Sequence, residues 1–536
     1  MVGASALILF ACSSLRHALF QSGAFDLGIY DQVVYLISQG EPPISSFLDF
    51  HHLGNHAAWA VYPLSLLYKI YPDVHWLLGV QAVALAMGSL PTWHLARQAG
   101  LTVSQAVAMA AVYLLYPLVF NVNLFEFHPE VMALPVFLGA VLAARLGQPG
   151  CFCLSIIFIL GCKAVLSLTV AAMGIWLLVF EKRRREGAIA LIAGISWFII
   201  ASFVIIPFFS GSEAAAVGRY SYLGSSVLAI ASNLVLKPEL ILGRVFSLDT
   251  LEYLGLLILP VIWGLSPQHL TPLVSAIPTL VLNILSDKHA QRDLIHQYSV
   301  PVLPFLLLAV ISNLAAGGGW LRSRRAIILW ALGAFLALAK YGYFGSRYLS
   351  SLDTWHSTRQ AIAQIQNSGG VLTMHRIAPH LTHRRLIEFV DNLKPPADLA
   401  QFDYVLLSVR HPGGTTTPEF TASLVNQLKN AQLFQLRYQR DDVYLFLKTP
   451  RAGHAGDSEE THAPPLLCNK SNNDSCTKNG GFPDPVGNPI GFPCLSTGFL
   501  GVTFPWTTGS LGKLIPNSFK ARSLMLMDAC TSASQK

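Results

Sequence analysis

The residues that could do chemistry in this chain are acids and histidines placed at the ends of long apolar runs. Residues 25–39, FDLGIYDQVVYLISQ, carry Asp26 and Asp31, five positions apart. Residues 121–130, NVNLFEFHPE, carry Glu126, His128 and Glu130. Lys163 stands between two apolar stretches, and His56, His296 and Tyr298 lie near the ends of others. A carboxylate at a water-facing mouth can serve as general base toward a hydroxyl. Carboxylates with histidine could also hold a divalent metal, although no spacing here demands one and no other cofactor is implied. Eight cysteines show no metal spacing, and Cys151-x-Cys153 lies inside an apolar run.

Each of these residues has a structural reading beside the chemical one. Asp26 can N-cap a helix beginning at Leu27, with Phe25 and Tyr30 packed as a staple. Asp31 lies about 140° further round that helix at about 100° per residue, which makes it a polar-face or supporting residue. Pro129 suits the first turn of a helix, and the helix dipole favours Glu130 there. Lys163 can snorkel to the membrane interface. Tyr298 suits an aromatic belt. His51, His52 and His56 fit polar loop roles, with His56 the strongest functional candidate of the three.

The elements that must position them are membrane helices. The 536-residue chain is 53% hydrophobic and 12% charged, against about 25% charged in soluble domains. Apolar runs occupy roughly 2–19, 74–96, 101–120, 131–146, 150–162, 165–180, 188–209, 250–265, 268–285, 300–316 and 326–345. That is about eleven membrane helices, with 150–162 and 165–180 a short pair meeting at Lys163. The N-terminus lacks the basic region of a signal peptide, so 2–19 is expected to be the first membrane helix. Arg97, Arg145, Lys182 to Arg185, and the group Arg322, Arg324 and Arg325 sit in short loops. A cytoplasmic N-terminus puts all four groups inside, as the positive-inside rule requires. Outer loops 20–73 and 121–130 then share one side with 286–299, and all the acids and histidines above gather there. Such polar groups at a membrane mouth define a candidate functional site. The net charge of +7 is accounted for by the loop clusters, so no nucleic-acid partner is inferred.

Within 20–73, residues 27–38 carry a helical apolar stripe too short to span, suited to an interfacial helix. Residues 350–449 read as a small extracytoplasmic α/β domain, with helices at 355–366 and 421–430 and strands at 370–374, 385–390, 404–409, 433–438 and 443–447. Residues 450–536 are rich in Gly, Pro, Ser, Asn and Thr and are expected to be a disordered tail. The fold class is therefore an α-helical polytopic membrane domain over 1–345, a small α/β domain and a tail.

FDLGIYDQ, GNHAAWAVYPL, FHPEVMALP and QYSVPVLPF, in that order between apolar helices, resemble the bacterial membrane family called domain-of-unknown-function family 2079, especially its cyanobacterial members. The resemblance covers about 1–345 and extends toward the α/β domain. It implies a GT-C-like fold, whose enzymes take a sugar from a polyprenyl-phosphate carrier at the outer face of the plasma (inner) membrane. It also implies an essential acid in the first outer loop, matched by Asp26, and a further acid matched by Glu130 or Glu126. Asp31, His56, Glu126, His128, Lys163, His296 and Tyr298 are then candidates for substrate binding, with Lys163, His296 and Tyr298 available to the carrier's phosphate. Family members often carry Lys-Glu-Asp where this chain has Lys163-Ala164-Val165, so an acid is missing. The readings are a glycosyltransferase with membrane lipid and a polyprenyl-phosphate-linked sugar as partners, or a non-catalytic membrane assembly or binding protein of the same fold. A transporter would place polar groups mid-helix, and these cluster at one face. The sugar, the acceptor and the oligomeric state are not written in the sequence.

Overall fold

Every one of the eleven apolar runs becomes helical in the computed structural model, which describes residues 1–393 and 398–449. The expected tail at 450–536 lies outside the described residues. Among the described residues, five helices are long and apolar enough to cross a membrane alone: His75–Gln98, Val103–Phe125, Arg184–Ser210, His289–Ala315 and Arg324–Leu349. A sixth counts if Pro238–Val245 and Leu248–Gly264, bent by 53°, form one span. Pro149–Cys162 and Leu166–Val179 have 14 residues each. At about 1.5 Å per residue each reaches about 21 Å, short of a ~30 Å hydrocarbon core.

Small residues bring the helices together where no water-driven force separates them. A Cβ on Gly174 would meet the Leu191 nitrogen at 2.4 Å and the Gly187 carbonyl at 2.7 Å. Leu166–Val179 and Arg184–Ile200 therefore touch backbone to backbone. Helix Pro129–Arg145 carries Glu130 in its first turn and Arg145 in its last, about 23 Å apart along the axis. Arg145 is bidentate to Glu181, and Arg183 donates to the Arg145 carbonyl at 2.9 Å. Two basic loops thus meet at one end of the bundle while the acids and histidines collect at the other.

Residues 210–249, between two of the apolar runs, contain helices Val227–Leu236 and Pro238–Val245. The apolar stretch there is ten residues long and is closed by Pro238, so it folds without the length to span. The helix at Ile29–Ser38 does not lie with one face in water. Tyr30, Asp31, Gln32, Val33 and Val34 are all buried, because the α/β unit covers its polar side.

Strands β1 (Ile44–Ser45) and β2 (Phe50–His51) form a small antiparallel pair. The α/β unit is built on a five-stranded sheet of β3 (Val371–Thr373), β4 (Ile387–Phe389), β5 (Tyr404–Ser408), β6 (Phe434–Arg440) and β7 (Val443–Lys448), in the order β4-β3-β5-β7-β6. β3 runs parallel to β4 and β5, and β7 is antiparallel to β5 and β6. All five residues of β5 are buried, as a central strand requires. Helices Trp355–Ile362 and Pro418–Asn430 accompany the sheet. The unit is not separate from the helical part: Met1–Thr449 belongs to one compact body. Gln32 fastens the two, accepting from Ser45 and Ser46 and donating to the Arg384 carbonyl at 3.1 Å.

Candidate functional site

Asp26 does not cap a helix. Ala24–Gly28 forms a wide, π-type turn, Asp26 has φ 59° and ψ −93°, and the helix starts only at Ile29 with no side-chain cap. A non-glycine residue at such a φ costs on the order of 1–3 kcal/mol. Three bonds hold the turn: Gly23 N–H to Glu126 Oε1 at 2.9 Å, Ala24 N–H to the His375 carbonyl at 2.9 Å, and Gly28 N–H to the Gly23 carbonyl at 3.2 Å. The Asp26 carboxylate keeps 39% of its surface exposed and meets His128 Nε2 at 3.4 Å. Burial opposes its charge, but His128, then Lys163 and His296, outweigh that and hold its pKa below the usual carboxylate value. Burial likewise opposes the His128 charge, and Asp26 and Glu130 overcome it and raise the imidazole above its ordinary value. Phe125 lies between two histidines, stacked on His128 at 5.6 Å and edge-on to His296 at 4.3 Å.

Glu130 and Lys163 form a buried ion pair, Nζ to Oε1 at 2.5 Å, with side chains 4% and 12% exposed. Lys163 therefore neither snorkels nor stands free for a phosphate. Ala164 donates its N–H to the His56 carbonyl at 2.9 Å and packs with Ala57, Ala201 and Ile206. Apolar packing surrounds Ala164, where the resemblance implied an acid. Burial, then the Lys163 charge, holds the His56 imidazole well below its usual pKa.

A cleft of about 240 Å³ opens beside Asp26 and is lined by Glu126, His296, Arg16, Arg347 and Arg376 among others. Glu130 and Lys163 are not among its lining residues, so the three do not share this cavity. Glu126 pairs with Arg16, and its second oxygen is buried with no partner among the described residues. Burial pushes the Glu126 carboxyl up to about 7 against Arg16, with Asp26 adding to the rise. Arg347 lies over the Tyr343 ring at 5.1 Å and donates to its hydroxyl. A second cavity of about 450 Å³ shares Ile295 and His296 with the first as lining residues and is also lined by Asp249, Glu252, Asp287, Arg292 and Asp293. There His296 Nδ1 lies 2.7 Å from Asp293 Oδ2.

The remaining candidates lie elsewhere. Asp31 is buried in a separate network, accepting from Tyr68 and Thr382 and pairing with His383 at 3.3 Å. It ties the helix at Ile29–Ser38 to the α/β unit rather than facing the cleft. Tyr298 lies against Arg219, 5.1 Å from guanidinium to ring centre. Among the described residues no three His, Cys, Asp or Glu side chains gather in a geometry for a metal ion. Asp26 faces His128 and Glu130 faces Lys163, so this donor set does not fit a divalent metal. Sequence reasoning missed Arg16, Arg347 and Arg376. An arginine in the last turn of an apolar helix was a legible signal for Arg16; Arg376 carried none, because it reaches the cleft only through the α/β fold.

The family described as Predicted membrane protein (DUF2079) matches residues 16–445, and the chain belongs to it. No curated protein sequence matches. Among solved structures, ArnT from Cupriavidus metallidurans bound to undecaprenyl phosphate is similar at TM-score 0.53 and 12% identity, covering 85% of this chain and 98% of that one. The same ArnT in its apo state gives 0.48 at 12% identity, covering 83% and 98%. An oligosaccharyltransferase of Archaeoglobus fulgidus in complex with Zn and sulfate gives 0.41 at 14% identity, covering 76% and 68%. The first likeness shows the fold alone: this chain and that ArnT share a largely helical fold.

Proposed function

We propose that this family member is a glycosyltransferase that moves a sugar from a polyprenyl-phosphate carrier to an acceptor hydroxyl at the outer face of the plasma membrane. The observation that carries the reading is Asp26: an uncapped carboxylate in a strained turn, held anionic by His128 and exposed to a cleft. The fold supports it, since ArnT of that fold has been solved with undecaprenyl phosphate bound. In this reading the N-terminus is cytoplasmic and 350–449 lies outside. Asp26 accepts the proton of the acceptor hydroxyl as its oxygen attacks the anomeric carbon. The bond from that carbon to the carrier phosphate breaks, and the phosphate leaves with the electron pair. His128 keeps Asp26 ionised and aimed. Glu130, engaged by Lys163, acts through the charge on His128 and is a positioning residue. The second cavity, which shares His296 with the first, is the acceptor's approach in this reading. No step runs through a metal.

A second reading, a non-catalytic binding protein of the same fold, draws on Ala164, where apolar packing replaces an acid. The experiment that separates the two is reconstitution in proteoliposomes with polyprenyl-phosphate-linked sugars, following donor consumption. Consumption by the parent and its loss in Asp26→Asn supports the transferase. Intact donor with every sugar tried, alongside tight lipid binding, supports the second.

A further inference from the structure

We infer that the α/β unit builds an anion site in the cleft, with Arg376 as its anchor and a phosphate ester as its ligand. Arg376 leaves the end of β3, and the segment 409–417 leaves the end of the neighbouring parallel strand β5. Ligands of open α/β sheets bind outside the carboxyl ends of such strands. Here that edge faces the cleft: His375, Arg376, Gly413 and Gly414 all line it. The Ala24 N–H to His375 carbonyl bond ties this segment to the very turn that carries Asp26.

The two glycines shape the site. Gly413 and Gly414 have φ of +68° and +61°, and Cβ atoms there would press on the Arg376 Cγ at 3.3 Å and the His375 Cβ at 3.2 Å. The loop therefore lies flat on the Arg376 stem and fixes its direction. Among the described residues the Arg376 guanidinium has no hydrogen bond and no ion pair, although its immediate charged neighbours include Arg16 and Arg347. Arg16 is paired with Glu126 and Arg347 with the Tyr343 hydroxyl. Three guanidinium groups thus line a cavity whose acids are Glu126, paired with Arg16 through one oxygen, and Asp26, paired with His128. Burial, then Arg347 and Arg16, lowers the Arg376 pKa to about 10 against Tyr343 and Glu126, so it stays charged at neutral pH with no carboxylate in direct contact among the described residues. An ester phosphate supplies that charge and the planar acceptors a guanidinium fork matches. This site deepens the transferase reading for the carrier, while its ligand chemistry stands on the cleft alone.

The test is binding of decaprenyl phosphate, decaprenol and inorganic phosphate to the full chain in nanodiscs. Arg376→Ala should weaken decaprenyl phosphate about ten- to hundredfold, as loss of a charged hydrogen bond does, and leave decaprenol unchanged. Arg376→Lys should recover part of the loss. Competition by inorganic phosphate in the parent identifies a site open to free phosphate. Arg376-dependent lipid binding without that competition identifies the lipid carrier. Equal decaprenyl phosphate affinity in parent and Arg376→Ala overturns the inference. Should Arg376→Ala lose decaprenol as well, Arg376→Gln, which keeps length without charge, decides by the same criterion. Arg376-dependent binding in a protein that transfers no sugar would retire the transferase reading and keep the site. Transfer with Arg376-independent binding would do the reverse.

Discussion

Replacing Asp26 by asparagine removes a base while leaving the turn intact. Asparagine is among the few residues that tolerate positive φ, so the 59° backbone angle survives the change. The three main-chain bonds that hold the turn use no Asp26 side-chain atom. The substitution weakens only the pairing of the part-exposed Asp26 with the buried His128 at 3.4 Å, worth about 1 kcal/mol. Against that small cost, loss of a general base lowers the rate by roughly 10²–10⁴, or about 3–5 kcal/mol in the barrier. The assay is consumption of a polyprenyl-phosphate-linked sugar in proteoliposomes, with thermal unfolding of the same samples. Asp26→Asn should unfold within a few degrees of the parent and lose at least a hundredfold in rate. Asp26→Ala should match it in rate and be less stable, since alanine tolerates the positive φ poorly. Transfer at the parental rate in Asp26→Asn would refute the reasoning, because the other carboxylate lining this cleft, Glu126, is held by Arg16 and the Gly23 N–H.

Four further outcomes follow from the geometry. Lys163→Met should destabilise by about 3–5 kcal/mol by stranding the buried Glu130 carboxylate, and Glu130→Gln in the same chain should recover most of the loss in thermal unfolding. The Asp26–His128 pair should stabilise fully between pH 3.8 and 6.5, the ordinary values of the two groups. Its contribution is lost as pH falls through the depressed Asp26 value or rises through the raised His128 value; a His128→Gln comparison of unfolding against pH reads this out, and a flat difference would contradict it. Asp31→Ala should loosen the α/β unit by removing the acceptor shared by Tyr68, Thr382 and His383, seen as faster proteolysis after residue 349 with the helical part intact. A cysteine at Gln439, exposed on edge strand β6, should react with an impermeant maleimide on intact cells; Ser408 is buried and would report nothing. Labelling of Gln439→Cys only after permeabilisation would reverse the orientation.

Hydrophobic run length and alternation determined the helices and the strands, because burying apolar side chains from water or in lipid is a local demand that each segment states for itself. The α/β order at 355–449 was legible for that reason, and the helix start at Pro129 because proline suits a first helical turn. The expected topology placed Asp26 and His128 on one side, but their pairing at 3.4 Å was not legible. Whether Asp26 caps a helix depended on a turn held by Glu126 and the His375 carbonyl, residues 100 and 349 positions away. Lys163 could be a free cation or a paired one, and only the position of Glu130 decided it. Arg376 lay far from every motif in the chain, and the C-terminal edge of a sheet brought it to the cleft. Electrostatic partners of this kind are chosen by distance in space, and a chain records distance only along itself.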